Sequence, residues 1–242
     1  MMNAPRAALC ALVFSAALSL ARAGGLGLFS DQTDVGPRSR PGTGVFDPAA
    51  GSYTVGASGA NMWFKADAMH YVWTQASGDL SIAADIAFLG ASNQGHRKAC
   101  LVIRQDLSPG SPYADVARHG DGLTSLQFRL AQDQTTAEIQ SMTASPTRVR
   151  LDKVGDTIVL SVAGPDGVLH PSGASISLHL RDPFYVGLAV CAHDDTAFET
   201  AVFTRVELGR ASGAAVLPVP GLRIMTLPSG DRRVTDQPAP PK

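Results

Sequence analysis

The chain has 242 residues, of which 45% are hydrophobic and 17% are charged, and its formal net charge at neutral pH is −1. This composition is typical of a globular protein with a core of ordinary size, and the length fits a single all-β domain. The near-zero net charge and the lack of any run of Lys or Arg exclude the basic surface of a nucleic-acid binder. We therefore expect no DNA or RNA partner.

The first residues predict a cleavable secretory signal peptide over residues 1–23. Arg6 precedes an apolar run, and Ala21-Arg-Ala23 has the small-x-small pattern of a cleavage site. The apolar run is too short for a comfortable membrane span, and Cys10 inside it lacks the small preceding residue of a lipoprotein signal. We expect a periplasmic or secreted protein with no membrane span after processing; a retained N-terminal anchor is the alternative.

Short β-type runs separated by turn residues fill the chain from there to about residue 210. In chain order, the predicted strands lie near residues 28, 45–46, 53–55, 62–64, 69–75, 79–89, 98–105, 113–119, 126–130, 149–151, 158–162, 176–180, 184–193 and 201–208. Apolar and polar residues alternate in most of them, which indicates half-buried antiparallel strands. Many short strands without helical periodicity predict an all-β sandwich or barrel over residues 24–210. The Pro-rich residues 211–242 predict a flexible tail.

The stretch 96–122 is the most informative part of the sequence. It predicts a strand, a Pro/Gly turn, a returning strand and a glycine-flanked turn at His119-Gly-Asp-Gly122. Because successive strand residues point to opposite faces, Cys100 and Arg104 share one face of the first strand, and Cys191 and His193 share one face of strand 184–193. If both strands lie in one sheet, all four side chains line the same face. The charge on Arg104 predicts that this face is the wetter one.

Two cysteines, Cys100 and Cys191, remain after removal of the signal peptide. An oxidising compartment permits a disulfide bond between them. Both also lie within strands beside small residues, where a free cysteine behaves as a small buried hydrophobe. The sequence leaves both alternatives open.

Six phrases of the sequence resemble a known family when they are taken together. They are Asn61-Met-Trp-Phe64, Ser77-Gly-Asp79, His96-Arg-Lys-Ala-Cys-Leu-Val-Ile-Arg104, Ser111-Pro-Tyr-Ala-Asp115, His119-Gly-Asp-Gly-Leu-Thr-Ser-Leu-Gln127 and Asp182-Pro-Phe-Tyr-Val-Gly187. Between about Leu28 and Leu208 the chain resembles the N-terminal module of secreted bacterial TolB-like, biopolymer-transport periplasmic proteins. More distantly it resembles the concanavalin A-like lectin/glucanase superfamily. The resemblance implies a concanavalin A-like jelly-roll β-sandwich of two antiparallel sheets.

A β-propeller often follows the sandwich in that family. Residues 221–234 look like the opening strand pair of a propeller. A propeller needs several four-stranded blades, so we expect none here. The resemblance instead suggests a separate β-propeller protein as a partner.

Aromatic and polar residues on the predicted strands form a candidate carbohydrate site. Sugar rings stack on exposed aromatic side chains, and a few fixed polar groups bind their hydroxyls. The candidate ligand-binding residues are Trp63, Tyr71, Trp73, Arg104, His119, Asp121 and His193. They predict a non-catalytic binding module for a carbohydrate or a cell-envelope polymer. Burial of both tryptophans in the core is the alternative.

A sugar-active enzyme that uses the same face is the second hypothesis. Glycoside hydrolases need two carboxyl groups about 5 to 9.5 Å apart. The sequence has only three glutamates, Glu138, Glu199 and Glu207, and none forms the alternating acidic pattern of glucanases on one strand. We therefore predict no catalytic residue. A protein-interaction module is the third hypothesis.

A metal site formed by the stretch 96–122 and residues near it is a further hypothesis. The side chains that could contribute ligands are His96, His119, Asp121, His193, Asp194 and Asp195. Their spacing fits no compact zinc motif, although loop oxygen atoms could hold a structural calcium ion. Asp121 between two glycines is also typical of a simple turn residue. We predict no other cofactor.

Overall fold

The computed structural model describes residues 25–211 of the chain. These residues form an all-β jelly-roll sandwich of two antiparallel seven-stranded sheets, which confirms the predicted fold class. The predicted signal peptide, residues 1–23, and the predicted tail beyond residue 211 lie outside the described residues. Between residues 25 and 211 there is no helix with the length and hydropathy needed to cross a membrane.

The strands of the described residues are short and follow one another closely. They are β1 Asp31–Val35, β2 Thr43–Asp47, β3 Ser52–Ala57, β4 Met62–Trp63, β5 Ala66–Asp67, β6 Met69–Ala76, β7 Leu80–Leu89, β8 Lys98–Arg104, β9 Tyr113–His119, β10 Thr124–Arg129, β11 Ala137–Gln140, β12 Arg148–Val154, β13 Thr157–Ala163, β14 Leu169–Ser177, β15 Phe184–Cys191 and β16 Glu199–Gly209.

The first sheet has the strand order β1-β6-β15-β8-β9-β10-β11, and the second has the order β14-β13-β12-β7-β16-β3-β2. The predicted central hairpin is β8–β9, with Arg104 opposite Tyr113 and Lys98 opposite His119. Strand β15 lies beside β8 in the same sheet, as the shared-face hypothesis requires.

The main core lies between the two sheets. Alternate residues of each strand point into it, such as Leu101 and Ile103 from β8 and Leu188 from β15. Each of these aliphatic side chains is fully buried, which stabilises the sandwich by about 1.5–3 kcal/mol per side chain. The alternation seen in the sequence therefore marks the inward face of most strands correctly. In β16 a register shift between Thr204 and Glu207 changes the alternation, so Ala201 and Phe203 are the core residues before it.

Several predicted strands differ from the structure. The predicted strand 176–180 overlaps only the end of β14, and β11 was not predicted. The edge strand expected near Leu28 is β1, which begins three residues later, because the Leu28 backbone N–H donates to Tyr53 Oη rather than to a neighbouring strand. The run 62–64 does not enter either large sheet. It forms β4, which pairs only with β5, and this small hairpin lies across the outer face of the first sheet.

Candidate functional site

The face of the first sheet that points away from the second sheet is called here the polar face. Its central side chains come from four neighbouring strands, which contribute Lys98, Cys100 and Arg104 (β8), Tyr113, Asp115 and His119 (β9), Ser125, Gln127 and Arg129 (β10), and Tyr185, Ala189 and Cys191 (β15). Strand parity places these residues together, because each alternates with a residue of the core. The face is rich in charged side chains, as the sequence predicted.

The covering hairpin, residues 58–68 with β4 and β5, lies over the middle of the polar face. Met62 is fully buried there, in an apolar cluster that includes Tyr71, Val102 and Cys100. Tyr71 is itself buried and donates from Oη to the Val102 carbonyl at 3.1 Å, and burial raises its pKa. The hairpin therefore makes a second, smaller core on this side of the sheet.

A buried ion cluster fixes the base of the covering hairpin. The Asp67 carboxylate accepts two hydrogen bonds from the Arg129 guanidinium, at 2.9 and 3.0 Å, and lies 3.5 Å from Arg104 Nη2. All three side chains are fully buried. Arg104 also donates to the carbonyls of Asp106 and Ser108 at 2.7 and 2.5 Å. These contacts satisfy both guanidinium groups, so the cluster has a structural role.

The expectation that Arg104 lies on an open, wet face is wrong, since its side chain has no exposed area. Asp67, 37 positions earlier in the chain, supplies the charge that allows its burial. Arg104 also lies opposite Tyr185, whereas His193 follows Cys191 at the other end of β15. The six residue steps from Tyr185 to Cys191 separate the two ends by about 20 Å. Arg104 and His193 share a face without sharing a site.

The other end of the polar face, called here the histidine end, holds His96, His119, His193 and Lys98. The ring of His96 lies 5.7 Å from that of His119 and 5.4 Å from that of His193, measured between centroids. His119 is buried, His193 is half-buried and His96 is exposed, so the group extends from the sheet to the surface. Chemically, this end offers one amino group and three imidazoles in one place.

Burial and the neighbouring charge of Lys98 favour the neutral imidazoles of His119 and His193. Burial, with Lys98 adding to it, lowers the pKa of His119 to about 4. Burial, Lys98 and His96 together lower the pKa of His193. His193 also has a positive φ of 58°, which is uncommon for a residue with a side chain. Backbone strain of this kind concentrates at functional sites.

The acidic residues of this end belong to turns. Asp121 is exposed and its Oδ1 accepts the Leu123 N–H at 3.0 Å, as in the turn interpretation. Asp194 accepts the Thr196 N–H and hydroxyl. Within residues 25–211, no group of three or more His, Cys, Asp or Glu side chains is arranged to hold a metal ion.

The predicted aromatic residues are spread over the face. Trp63 is half-buried in the covering hairpin, and Tyr71 lies beneath it. Trp73 packs edge-to-face on Tyr185 with centroids 4.9 Å apart, and its Nε1 is buried without a hydrogen-bond partner. We call the Trp73–Tyr185 pair the aromatic end. The only sequence signal for Tyr185 was the alternation of faces along β15, which places it on the polar face.

Three polar side chains that the sequence analysis missed lie between the two ends. Asp115, Ser125 and Gln127 are buried on β9 and β10, and within residues 25–211 both Asp115 oxygens, Ser125 Oγ and Gln127 Oε1 make no hydrogen bond of ordinary geometry. Burial raises the pKa of Asp115 well above its usual range, and Cys100 is a neighbour of its carboxyl group. Native proteins leave few such groups unpaired, so these side chains are candidates for contact with a ligand or a bound water molecule. Strand parity with Arg129 and His119 could have identified them.

The two cysteines are free thiols in the structure, and both are buried. Cys100 lies opposite Ala189, and Cys191 lies opposite Lys98, so the cysteines are diagonal neighbours on β8 and β15. Diagonal positions are about 7–8 Å apart, beyond the usual reach of a disulfide bond. Burial and the nearby Asp115 raise the pKa of Cys100 well above its usual range.

Comparisons with known proteins identify the fold. No family profile matches the sequence, and no curated protein matches it. A solved structure of a functionally unknown protein from Saccharomyces cerevisiae superposes with a TM-score of 0.56 and 13% identity, over 78% of this chain and all of that one. Alginate lyase A1-II', of polysaccharide lyase family 7, has a TM-score of 0.44 and 12% identity, over 69% of this chain and 83% of that one. The carbohydrate recognition domain of Emp47p has a TM-score of 0.42 and 10% identity, over 75% and 89%. Likeness at these identities shows the fold alone.

Proposed function

We propose that this protein is a periplasmic or secreted binding module for a carbohydrate or cell-envelope polymer, and that its ligand contacts the polar face. The observation that carries the proposal is the group of unpartnered polar atoms on Asp115, Ser125 and Gln127. A fold hosts many functions, so the site has to supply the argument. Sugar hydroxyls both donate and accept hydrogen bonds, and these three side chains offer both capacities.

The aromatic end supports a polymer rather than a single small molecule. Trp73 and Tyr185 lie about 20 Å along the sheet from the histidine end, by strand geometry. The partly exposed rings of Trp73 and Tyr185 are of the amphipathic kind that stacks on a sugar. A ligand that contacts both ends must be extended.

The route to the unpartnered atoms lies along β11. On that side of the sheet Gln127 lies opposite Glu138 and Ser125 lies opposite Gln140, and burial decreases from β10 to β11. Gln127 Nε2 is 3.4 Å from Glu138 Oε2, so the polar row is continuous with the surface. We infer that the ligand enters here, beside the covering hairpin.

Binding assays on residues 24–242, with and without calcium, test the proposal against an array of glycans. The variants are Ser125→Ala and Gln127→Met, with exposed Ser177→Ala as the matched control. Each site variant should weaken binding about 2- to 10-fold, because one hydrogen bond is lost. Stability of the free protein should be unchanged or higher, since an unpaired buried polar group is removed. Binding that is equal in all three variants would overturn the assignment of the site.

A second candidate function, a sugar-active enzyme, is favoured by one observation. Asp115, Gln127 and Glu138 lie opposite one another on β9, β10 and β11, so two acidic residues are separated by two strand spacings, or about 10 Å. Inverting glycosidases hold their carboxyl groups about 6.5–9.5 Å apart, and the raised pKa of Asp115 suits a general acid. Release of reducing ends from a bound polymer, abolished in Glu138→Gln, would establish this function. Absence of binding to any glycan would leave a protein-interaction module, including one that partners a β-propeller.

A further inference from the structure

The side chain of Lys98 at the histidine end is buried without a compensating charge. It is 2% exposed, and its Nζ donates to Asn61 Oδ1 of the covering hairpin. Within the described part of the chain, no Asp or Glu makes an ion pair with it. An ammonium group has three N–H donors, so two of them have no partner. Buried lysines are almost always paired, which makes this position unusual.

A second buried lysine shows how the chain normally treats such a group. Lys153 is 4% exposed, but its Nζ donates to the carbonyls of Gly155 and Gly78, at 2.8 and 3.4 Å, and lies over the Phe184 ring. These contacts compensate for the burial of the Lys153 ammonium group. Lys98 has only one comparable contact, with Asn61.

The acidic residues around Lys98 do not form an ion pair with its ammonium group either. Asp115 is a buried acid on the same face: burial raises its pKa and the charge of Lys98 lowers it, and the two side chains make no ion pair within residues 25–211. Asp121 and Asp194 are engaged by backbone N–H groups of their own turns. Glu138 faces Gln127 on β11, and the other acid at this end of the sandwich, Glu199, pairs with Arg97 at 2.6 Å. Lys98 is left as an excess positive charge beneath the histidines.

The three histidines lie between this charge and the surface. Lys98 lies opposite His119 in β9 and opposite Cys191 in β15, two residues before His193. His96 is exposed and His193 is half-buried, so both can donate an N–H to a group that approaches from solvent.

We propose that the histidine end binds an anionic substituent of the ligand, a carboxylate or a sulfate on a sugar, with Lys98 as its counter-charge and His96 and His193 as donors nearer the surface. The proposal rests on the proposed function and narrows it to an acidic polysaccharide. The anion takes the two free N–H donors of Lys98 and completes a charge pair that the folded chain lacks. Asn61 then positions the lysine, because it already holds the third donor.

Titration calorimetry at pH 7 with three probes tests this inference: oligogalacturonate, dextran sulfate and unmodified dextran. The variants are Lys98→Met and His193→Gln, and the controls are the exposed Lys65→Met and His170→Gln. We expect one or both anionic probes to bind the wild type, and which of them binds distinguishes carboxylate from sulfate. Lys98→Met should weaken that binding about 10- to 100-fold, because a charge-assisted hydrogen bond is lost, and His193→Gln should weaken it less. Neither control should change it.

The outcomes separate this inference from the proposed function. Lys98→Met should be at least as stable as the wild type, because it removes an unpaired buried charge, so a loss of binding will not reflect unfolding. Binding of the anionic probes that persists in Lys98→Met, or equal binding of dextran and dextran sulfate, would overturn the inference. If binding in those cases still depends on Ser125 and Gln127, the proposed function stands without it. Loss of anion binding in Lys98→Met but not in Gln127→Met would support the inference and move the ligand site away from β10.

Discussion

The Asp67 carboxylate joins the covering hairpin to β8 and β10 through Arg104 and Arg129. Asp67→Asn leaves two buried guanidinium groups without their anion, which should destabilise the protein by about 3–5 kcal/mol. Urea unfolding measures this difference. The matched control is Asp166→Asn, whose exposed contact with His170 is screened by solvent and contributes little to stability. An equal loss in the two variants would mean that the buried cluster contributes no more to the free energy of unfolding than an exposed ion pair.

The same cluster shows which side-chain positions the sequence could predict and which it could not. Parity correctly put Arg104 on the face that carries Cys100 and Cys191. It could not show that Arg104 is buried, because the compensating charge comes from a segment remote in sequence. Asp121 behaved as a turn residue, an alternative that its flanking glycines already offered. Parity with His119 could have placed Asp115 on the polar face, but nothing in the sequence shows that this acid is buried.

The covering hairpin depends on Met62, which is fully buried between it and the polar face. Met62→Ala should cost about 2–5 kcal/mol, since it leaves a cavity where the small core lies. Differential scanning calorimetry of the wild type and the variant will show the loss as a lower Tm. Met142→Ala is the control, because Met142 is 98% exposed and its removal should change stability by less than about 0.5 kcal/mol. Similar effects in the two variants would show that the hairpin does not pack as described.

Most strands were predictable because each buries one face, which imposes a period of two on the sequence. The strands β7, β8 and β15 follow this rule and were predicted within a few residues. Strands β4 and β5 have two residues each and pair only with one another, so no period can form. The sequence therefore could not reveal that residues 58–68 would leave the sandwich and cover the polar face. That unpredicted placement covers the middle of the polar face.

The two sheets and the hairpin together bury His119, so the stability of the whole molecule should depend on pH. Burial and Lys98 lower the pKa of His119 to about 4 in the folded protein, against about 6.5 in an unfolded chain. As the pH falls, the unfolded state therefore takes up a proton first and is favoured. The contribution is fully present above about pH 6.5 and is lost as the pH falls to about 4, an effect of about 3 kcal/mol.

Urea unfolding of the wild type and His119→Gln at pH 7 and pH 4.5 isolates this contribution, because the carboxyl groups titrate in both proteins and cancel in the comparison. The wild type should lose about 2–3 kcal/mol more than the variant between the two pH values. His179→Gln, which changes an exposed histidine on the other side of the sandwich, should follow the wild type. Equal losses in the wild type and His119→Gln would show that the acid sensitivity comes from a group other than His119. If the wild type and His179→Gln lose more unfolding free energy than His119→Gln, the extra acid sensitivity comes from the histidine end. There the fold keeps the His119 imidazole neutral beside the buried Lys98.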